Sequence, residues 1–131
     1  APRCRSDLLY KGALKDRSRI VWRGMIRVEP GAEKTDAYQR DDNLMLSADS
    51  RADSIPGLEI LADDVKCSHG ATTAQLSDEE MFYLRARGIP PAAGRRLLVA
   101  GFLGEVLQRL DNPAVASDLT ARVEAKLAHA D

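Results

Sequence analysis

The sequence is poor in the residues and runs that mark several classes of protein. Only 2 of its 131 residues are cysteines, which excludes a disulfide framework and favours a reducing compartment. No apolar run approaches the ~20 residues that span a bilayer, and the N-terminus lacks the apolar core of a signal peptide. The formal net charge is −1, so neither a nucleic acid nor an acidic membrane is expected as partner. These features favour a cytoplasmic protein.

The motifs of common catalytic sites are missing as well. The sequence has no glycine-rich phosphate loop, no G-x-G-x-x-G, no G-x-S-x-G and no H-E-x-x-H. The adjacent carboxylates Asp41-Asp42 and Asp63-Asp64 would point to opposite faces of a strand, so neither pair suits acid–base catalysis. We interpret both pairs as solvated turns, and no residue is singled out as catalytic.

The first half of the chain has the pattern of short β-strands. Arg19 to Val28 is the clearest strand, because it is rich in β-branched and aromatic residues, whereas Asp36 to Arg40 is polar and ambiguous. Pro56-Gly57 is expected to be a turn. Strand candidates at spacings of roughly 12–16 residues fit a sandwich, a barrel or a β-solenoid, and without a strict sequence repeat the three stay open.

The second half is helical, and we place a domain boundary between residues 76 and 77. Ser77 and Glu80 form a capping box, and Gly88 is suited to end that helix in a Schellman motif. A second helix is predicted from Pro91 to Leu110 and a third over residues 113–128. The apolar band of the second helix is broader than one packing face needs. That helix is therefore either buried in its own small domain or in contact with a partner.

Cys67 and His69 stand where the sequence changes from the β pattern to the helical one. On a strand they would share a face, about 6.6 Å apart. One interpretation is packing, with a buried thiol and a buried imidazole. Another is half of a soft-metal site, for which Cys4 and His129 are the only other thiol or imidazole candidates. A third is a nucleophile with its base.

Several stretches resemble the SufB/SufD family of iron–sulfur cluster assembly scaffolds. The longest is Leu58 to Leu84, with Arg85-Ala86-Arg87-Gly88-Ile89 after it. The match spans roughly residues 6–110, and the run A-D-D-V-K-C-S-H-G-A-T resembles the SufD type. Upstream the resemblance is carried by Ser6 to Gly12, Arg23-Gly24, Val28 to Ala32, Thr35 to Gln39, Leu44 to Ser47 and Ala52-Asp53.

The resemblance implies a mainly β fold with a C-terminal α region. Residues 1–76 would be the terminal coils of a right-handed parallel β-helix, and residues 77–131 a helical domain that docks a SufC-like ABC-type ATPase. Because family members are several times longer, we expect a C-terminal portion. Its partner would be a SufB-like sister subunit or a second copy, in the cytoplasm or, in a eukaryote, the plastid.

The resemblance implies a non-catalytic protein whose clusters form transiently at a subunit interface. The resemblance implies that His69, and with it Cys67, are cluster ligands; the isolated chain is expected to hold no cluster tightly. A structural module that docks the ATPase without binding iron is the alternative. Cys4 matches no motif and is assigned no role. The residues expected to dock the ATPase are Phe82, Tyr83, Leu84, Arg85, Leu98, Phe102 and Val106.

Overall fold

A computed structural model describes residues 1–128, so His129 lies outside the described residues. Five strands are followed by three helices, which confirms the predicted class, mainly β with C-terminal helices. The strands are β1 (Arg5–Leu14), β2 (Arg19–Val28), β3 (Asp36–Met45), β4 (Arg51–Ile60) and β5 (Lys66–Gln75). The helices are α1 (Asp78–Ala86), α2 (Pro91–Leu107) and α3 (Pro113–Ala128).

The strands pair in parallel and form two sheets of alternating membership. One sheet has the order β1-β3-β5, and the other contains β2 and β4. Arg5 pairs with Asp36, 31 positions later, and Arg19 pairs with Arg51, 32 positions later. Each turn of about that length therefore stacks on the one before it, as in a solenoid. That these turns are the last coils of a right-handed β-helix stays a prediction.

A repeated backbone conformation marks the start of every turn. Arg3, Lys34 and Asp64 precede β1, β3 and β5, and each has a positive φ, of 60°, 61° and 51°. The Arg3 N–H donates to the Glu33 carbonyl at 2.8 Å, and the Lys34 N–H donates to the Asp64 carbonyl at 2.7 Å. The repeat is thus one of backbone geometry, although the residue types at equivalent positions differ.

Two sequence predictions in this half are wrong. Pro56-Gly57 lies inside β4 rather than in a turn. Within residues 1–128, β4 pairs with β2 alone, and the odd-numbered residues of β4 supply the bonding N–H groups. Pro56 therefore costs no bond between strands. Asp41-Asp42 is not a solvated turn: Asp41 is 0% exposed and Asp42 is 7% exposed, both within β3.

Contacts divide the chain into two compact units, Ala1–Thr73 and a second that begins at Ala74. In the second, Ser77 caps α1 by accepting from the Glu80 N–H at 3.3 Å. Gly88, with a φ of 79°, closes a Schellman motif, in which the Ile89 N–H donates to the Leu84 carbonyl at 3.1 Å. The predicted Schellman motif is confirmed, as is the part of the capping box in which Ser77 accepts.

The second helix ends earlier than predicted. It stops at Leu107, because the N–H groups of Arg109 and Leu110 donate to carbonyls three residues back, which tightens the chain into non-α turns. It packs against both α1 and α3. The third helix begins at Pro113, where the Asn112 side chain accepts from the Ala114 N–H at 3.1 Å.

Candidate functional site

The last strand, β5, carries the predicted cluster ligands and forms an edge of its sheet. The register of β5 against β3 follows from two equivalent backbone hydrogen bonds. The Lys66 N–H donates to the Thr35 carbonyl at 2.8 Å, and the Asp36 N–H donates to the Cys4 carbonyl at 2.9 Å. Since Asp36 pairs with Arg5, the same geometry pairs Lys66 with Asp36. This offset of 30 positions places Cys67 beside Ala37 and His69 beside Gln39.

Cys67 and His69 therefore continue the row of side chains that faces the interior between the two sheets. Ala37 is 3% exposed and Gln39 is 2% exposed, because β2 and β4 cover the face on which they lie. Cys67 is half-buried, but His69 is exposed. The packing interpretation, which requires a buried imidazole, is therefore wrong for His69.

The chemistry available to this pair is that of an incomplete ligand set. A thiolate and an imidazole both bind iron and zinc. Within residues 1–128, no three His, Cys, Asp or Glu side chains lie close enough together to hold a metal ion. Cys4 is exposed, and its thiol donates to the Ala1 carbonyl at 3.0 Å. In the same part of the chain no hydrogen bond joins Cys67 to His69, so the nucleophile–base alternative lacks the contact on which it depends.

The opposite face of the same sheet carries a polar cluster that the sequence analysis missed. Asp42 accepts from the Thr72 hydroxyl at 2.7 Å and from Arg40 at 2.8 Å, and Lys11 lies 3.8 Å from it. Strand alternation could have predicted this cluster. Two adjacent carboxylates on one strand point to opposite faces of the sheet, and each needs its own hydrogen-bond donors when it is buried.

Asp41, the neighbour of Asp42, belongs to a second polar group between the sheets. One of its oxygens, Oδ2, accepts from the Asn43 amide at 2.9 Å and from the Ser54 hydroxyl. Its other oxygen, Oδ1, and Oδ1 of Asn43 are both buried, and neither has a hydrogen-bond partner in the part of the chain that the structure describes. This group joins β3 to β4 but leaves two acceptors unsatisfied.

The residues expected to dock a partner divide by exposure. On α1, Phe82 is 71% exposed and Tyr83 is 54% exposed. Leu84, by contrast, is 9% exposed and faces Gly94 of α2. Arg85 is exposed, whereas three residues of α2 are half-buried: Leu98, Phe102 and Val106.

An open groove runs along these helices. It has a volume of about 490 Å³ and is lined by Glu79, Glu80, Tyr83, Leu84 and Leu98. The Arg87 guanidinium lies 3.6 Å above the centre of the Tyr83 ring, which fixes that ring at the side of the groove. Among the described residues, no helix has both the length and the hydropathy required to cross a membrane.

Stacked parallel strands, the last of which carries a thiol and an imidazole, followed by three helices, define a solenoid-like β protein with a C-terminal helical region. The family profile for the SUF system FeS cluster assembly, SufBD core domain, matches residues 1–102. This chain belongs to the SufBD family.

Relatives in three groups of organisms support this assignment. The chain is 41% identical to an iron-sulfur cluster assembly SufBD family protein of Mycobacterium tuberculosis, over 96% of this chain and 34% of that protein. It is 38% identical to the iron-sulfur cluster assembly protein SufD of Escherichia coli, over 95% and 29%. Against the chloroplastic protein ABCI7 of Arabidopsis thaliana the identity is 35%, over 96% and 27%. The chain thus spans about a third of the length of these relatives.

Proposed function

We propose that this chain is a non-catalytic scaffold segment for iron–sulfur cluster assembly in a SUF-type complex. Cys67 and His69 contribute ligands to a transient cluster, which is the cargo of the complex. One observation carries the proposal: in a chain of the SufBD family, an exposed imidazole lies two positions from a half-buried thiol on an edge strand. Both are ligands that iron accepts.

The remaining ligands come from another chain on this proposal. Residues 1–128 bring no third metal-binding side chain to the pair. The free edge of β5 can also pair with a strand of a second chain. A SufB-like sister subunit or a second copy of this chain would thus complete the site, in the cytoplasm or, for a eukaryotic protein, the plastid.

The iron and acid-labile sulfide content of the assembled, anaerobically purified complex tests this role. We expect His69→Ala to lower both contents while the subunits still co-elute, and Cys67→Ala to do the same. Ser68→Ala is the matched control, because Ser68 lies between them on the opposite face of the strand. Unchanged cluster content in His69→Ala, with an intact complex, would contradict a ligand role.

The helical unit provides the second part of the proposal, the docking of a SufC-like ATPase. Support comes from two exposed aromatic side chains, Phe82 and Tyr83, beside an apolar groove. Exposed aromatic residues next to a groove are typical anchors of protein interfaces. Leu84, being buried, would act by holding α1 against α2 rather than by contact, and the half-buried Leu98, Phe102 and Val106 would support the groove.

A pair of charge substitutions tests docking. Phe82→Glu should abolish co-elution with the ATPase, because it replaces an exposed aromatic side chain of α1 by a charge. Val115→Glu on α3 is the control, since Val115 is also an exposed apolar residue, at 46%. Co-elution that survives Phe82→Glu would contradict this docking surface.

A module that docks the ATPase without binding iron is the second candidate. The incomplete ligand set within residues 1–128 favours it. The two candidates differ in one measurement: equal iron content with and without His69 would support the docking module.

A further inference from the structure

The side chain of Asp42 joins the edge strand β5 to the strand beside it. The Thr72 hydroxyl donates to Oδ1 of Asp42 at 2.7 Å, three positions after His69. Thr72 and Asp42 are 30 positions apart, the same offset that the backbone ladder gives to β3 and β5. The bond therefore forms only in the observed register.

The Asp42 carboxylate that accepts from Thr72 is also held by two basic side chains. Nε of Arg40 donates to Oδ2 of Asp42 at 2.8 Å, and Nη2 lies 2.8 Å from the same oxygen, so the guanidinium holds Oδ2. The Lys11 ammonium lies 3.8 Å from the same oxygen, and its side chain is only 5% exposed. Oδ1 is thus left directed at β5, and the bond that Thr72 makes is to a charged acceptor.

An edge strand has few other constraints on its register. Within residues 1–128, β5 has a neighbouring strand on one side only, and eight of its ten residues are exposed. Strand register is weakly specified where no face is buried, and a slip of one residue turns every side chain to the other face. Such a slip would move His69 away from the interior face and onto the face of Asp42.

We infer that Thr72 and Asp42 are positioning residues that lock the register of β5 and so keep Cys67 and His69 on one face at the end of the solenoid. The register lock itself is inferred from the contacts of Asp42, whereas its role in placing cluster ligands rests on the proposed function. Neither residue touches the cluster. Their effect is transmitted through the position of the strand.

Hydrogen exchange of the β5 amides in the purified chain tests the lock directly. Thr72→Val keeps the shape of the side chain but removes the donor, and we expect β5 amides to exchange about tenfold faster, as for the loss of one hydrogen bond to a charged group. Thr72→Ser retains the hydroxyl and should restore the original rate. Thr73→Val is the matched control, because within the described residues the Thr73 hydroxyl makes no hydrogen bond.

The cluster content of the assembled complex then tests the purpose of the lock. Faster exchange together with lower iron and sulfide in Thr72→Val, both restored in Thr72→Ser, is the expected result. Unchanged exchange in Thr72→Val overturns the lock, even where His69→Ala still lowers the cluster content. Faster exchange with full cluster content overturns the positioning role. If His69→Ala itself has no effect, the proposed function fails, and with it the purpose of the lock.

Discussion

Replacing Asp41 by asparagine should stabilise the β unit, because the buried carboxylate is poorly satisfied. Asp41 is fully buried, and within residues 1–128 neither its Oδ1 nor Oδ1 of Asn43 has a hydrogen-bond partner. Asparagine can keep the oxygen that accepts from Asn43 and Ser54 and place an N–H₂ group where Oδ1 stands. The substitution removes a buried charge for which Asn43 and Ser54 supply donors at one oxygen only.

The magnitude follows from the cost of an unsatisfied buried acceptor, about 1–3 kcal/mol. We expect the free energy of unfolding to rise by about that amount, which moves a urea midpoint by about 1 M. Trp22 is the only tryptophan and lies on β2 in the same unit, so its fluorescence reports the unfolding of this unit rather than of the helices.

The control is the same chemical change at an exposed site. Asp36 is exposed at the start of β3, and Asp36→Asn should change the stability by less than about 0.5 kcal/mol. A urea midpoint of Asp41→Asn equal to or below that of the original chain would refute the reasoning. It would mean that the charge of Asp41 is better compensated in the fold than its contacts indicate.

Two further predictions concern the surface of the sheet and the start of a helix. Hydrogen bonds from Arg19 and, to a smaller extent, from Arg51 lower the pKa of Asp53 below its ordinary value of 3.8. The ionised carboxylate therefore stabilises the fold above pH 3.8, and this contribution is lost as the pH falls through the lowered pKa. Asp53→Asn should therefore flatten the loss of stability below pH 3.8, measured by Trp22 fluorescence. Ser77→Ala should destabilise α1 by about 1 kcal/mol, measured by helical circular dichroism on heating, because the Glu80 N–H loses its acceptor.

The sequence predicted best those elements whose signals are local. The bounds of β2 follow from its β-branched residues, and the start of α3 follows Asn112, which caps it. The two ends of α1 follow from the capping side chain of Ser77 and from Gly88, which has a positive φ. The strand β3 was ambiguous because its interior face is polar: Gln39, Asp41 and Asn43 replace the apolar residues that normally reveal alternation. The residue pattern does not reveal that Gln39 and Asp41 find hydrogen-bond partners on β4.

The repeat of the solenoid escaped detection for a related reason. Leu8 stacks on Gln39, Tyr10 on Asp41 and Gly12 on Asn43, so successive turns share geometry without sharing residue types. The stacked turns are joined by backbone hydrogen bonds, and a left-handed residue precedes each of β1, β3 and β5. Only the resemblance to a family, rather than any internal periodicity, indicated stacked coils before the structure did.

The exposure of His69 and the free edge of β5 have one structural cause. Within residues 1–128 the β1-β3-β5 sheet has one strand more than the sheet of β2 and β4. The interior face of β5 consequently has no strand of the second sheet opposite it, and the edge of β5 has no neighbour. A chain that pairs with this edge would also bring its own side chains over Cys67 and His69. On our proposal, subunit pairing and completion of the ligand set are therefore a single event, which explains why a chain with only two soft ligands at this position can serve as a cluster scaffold.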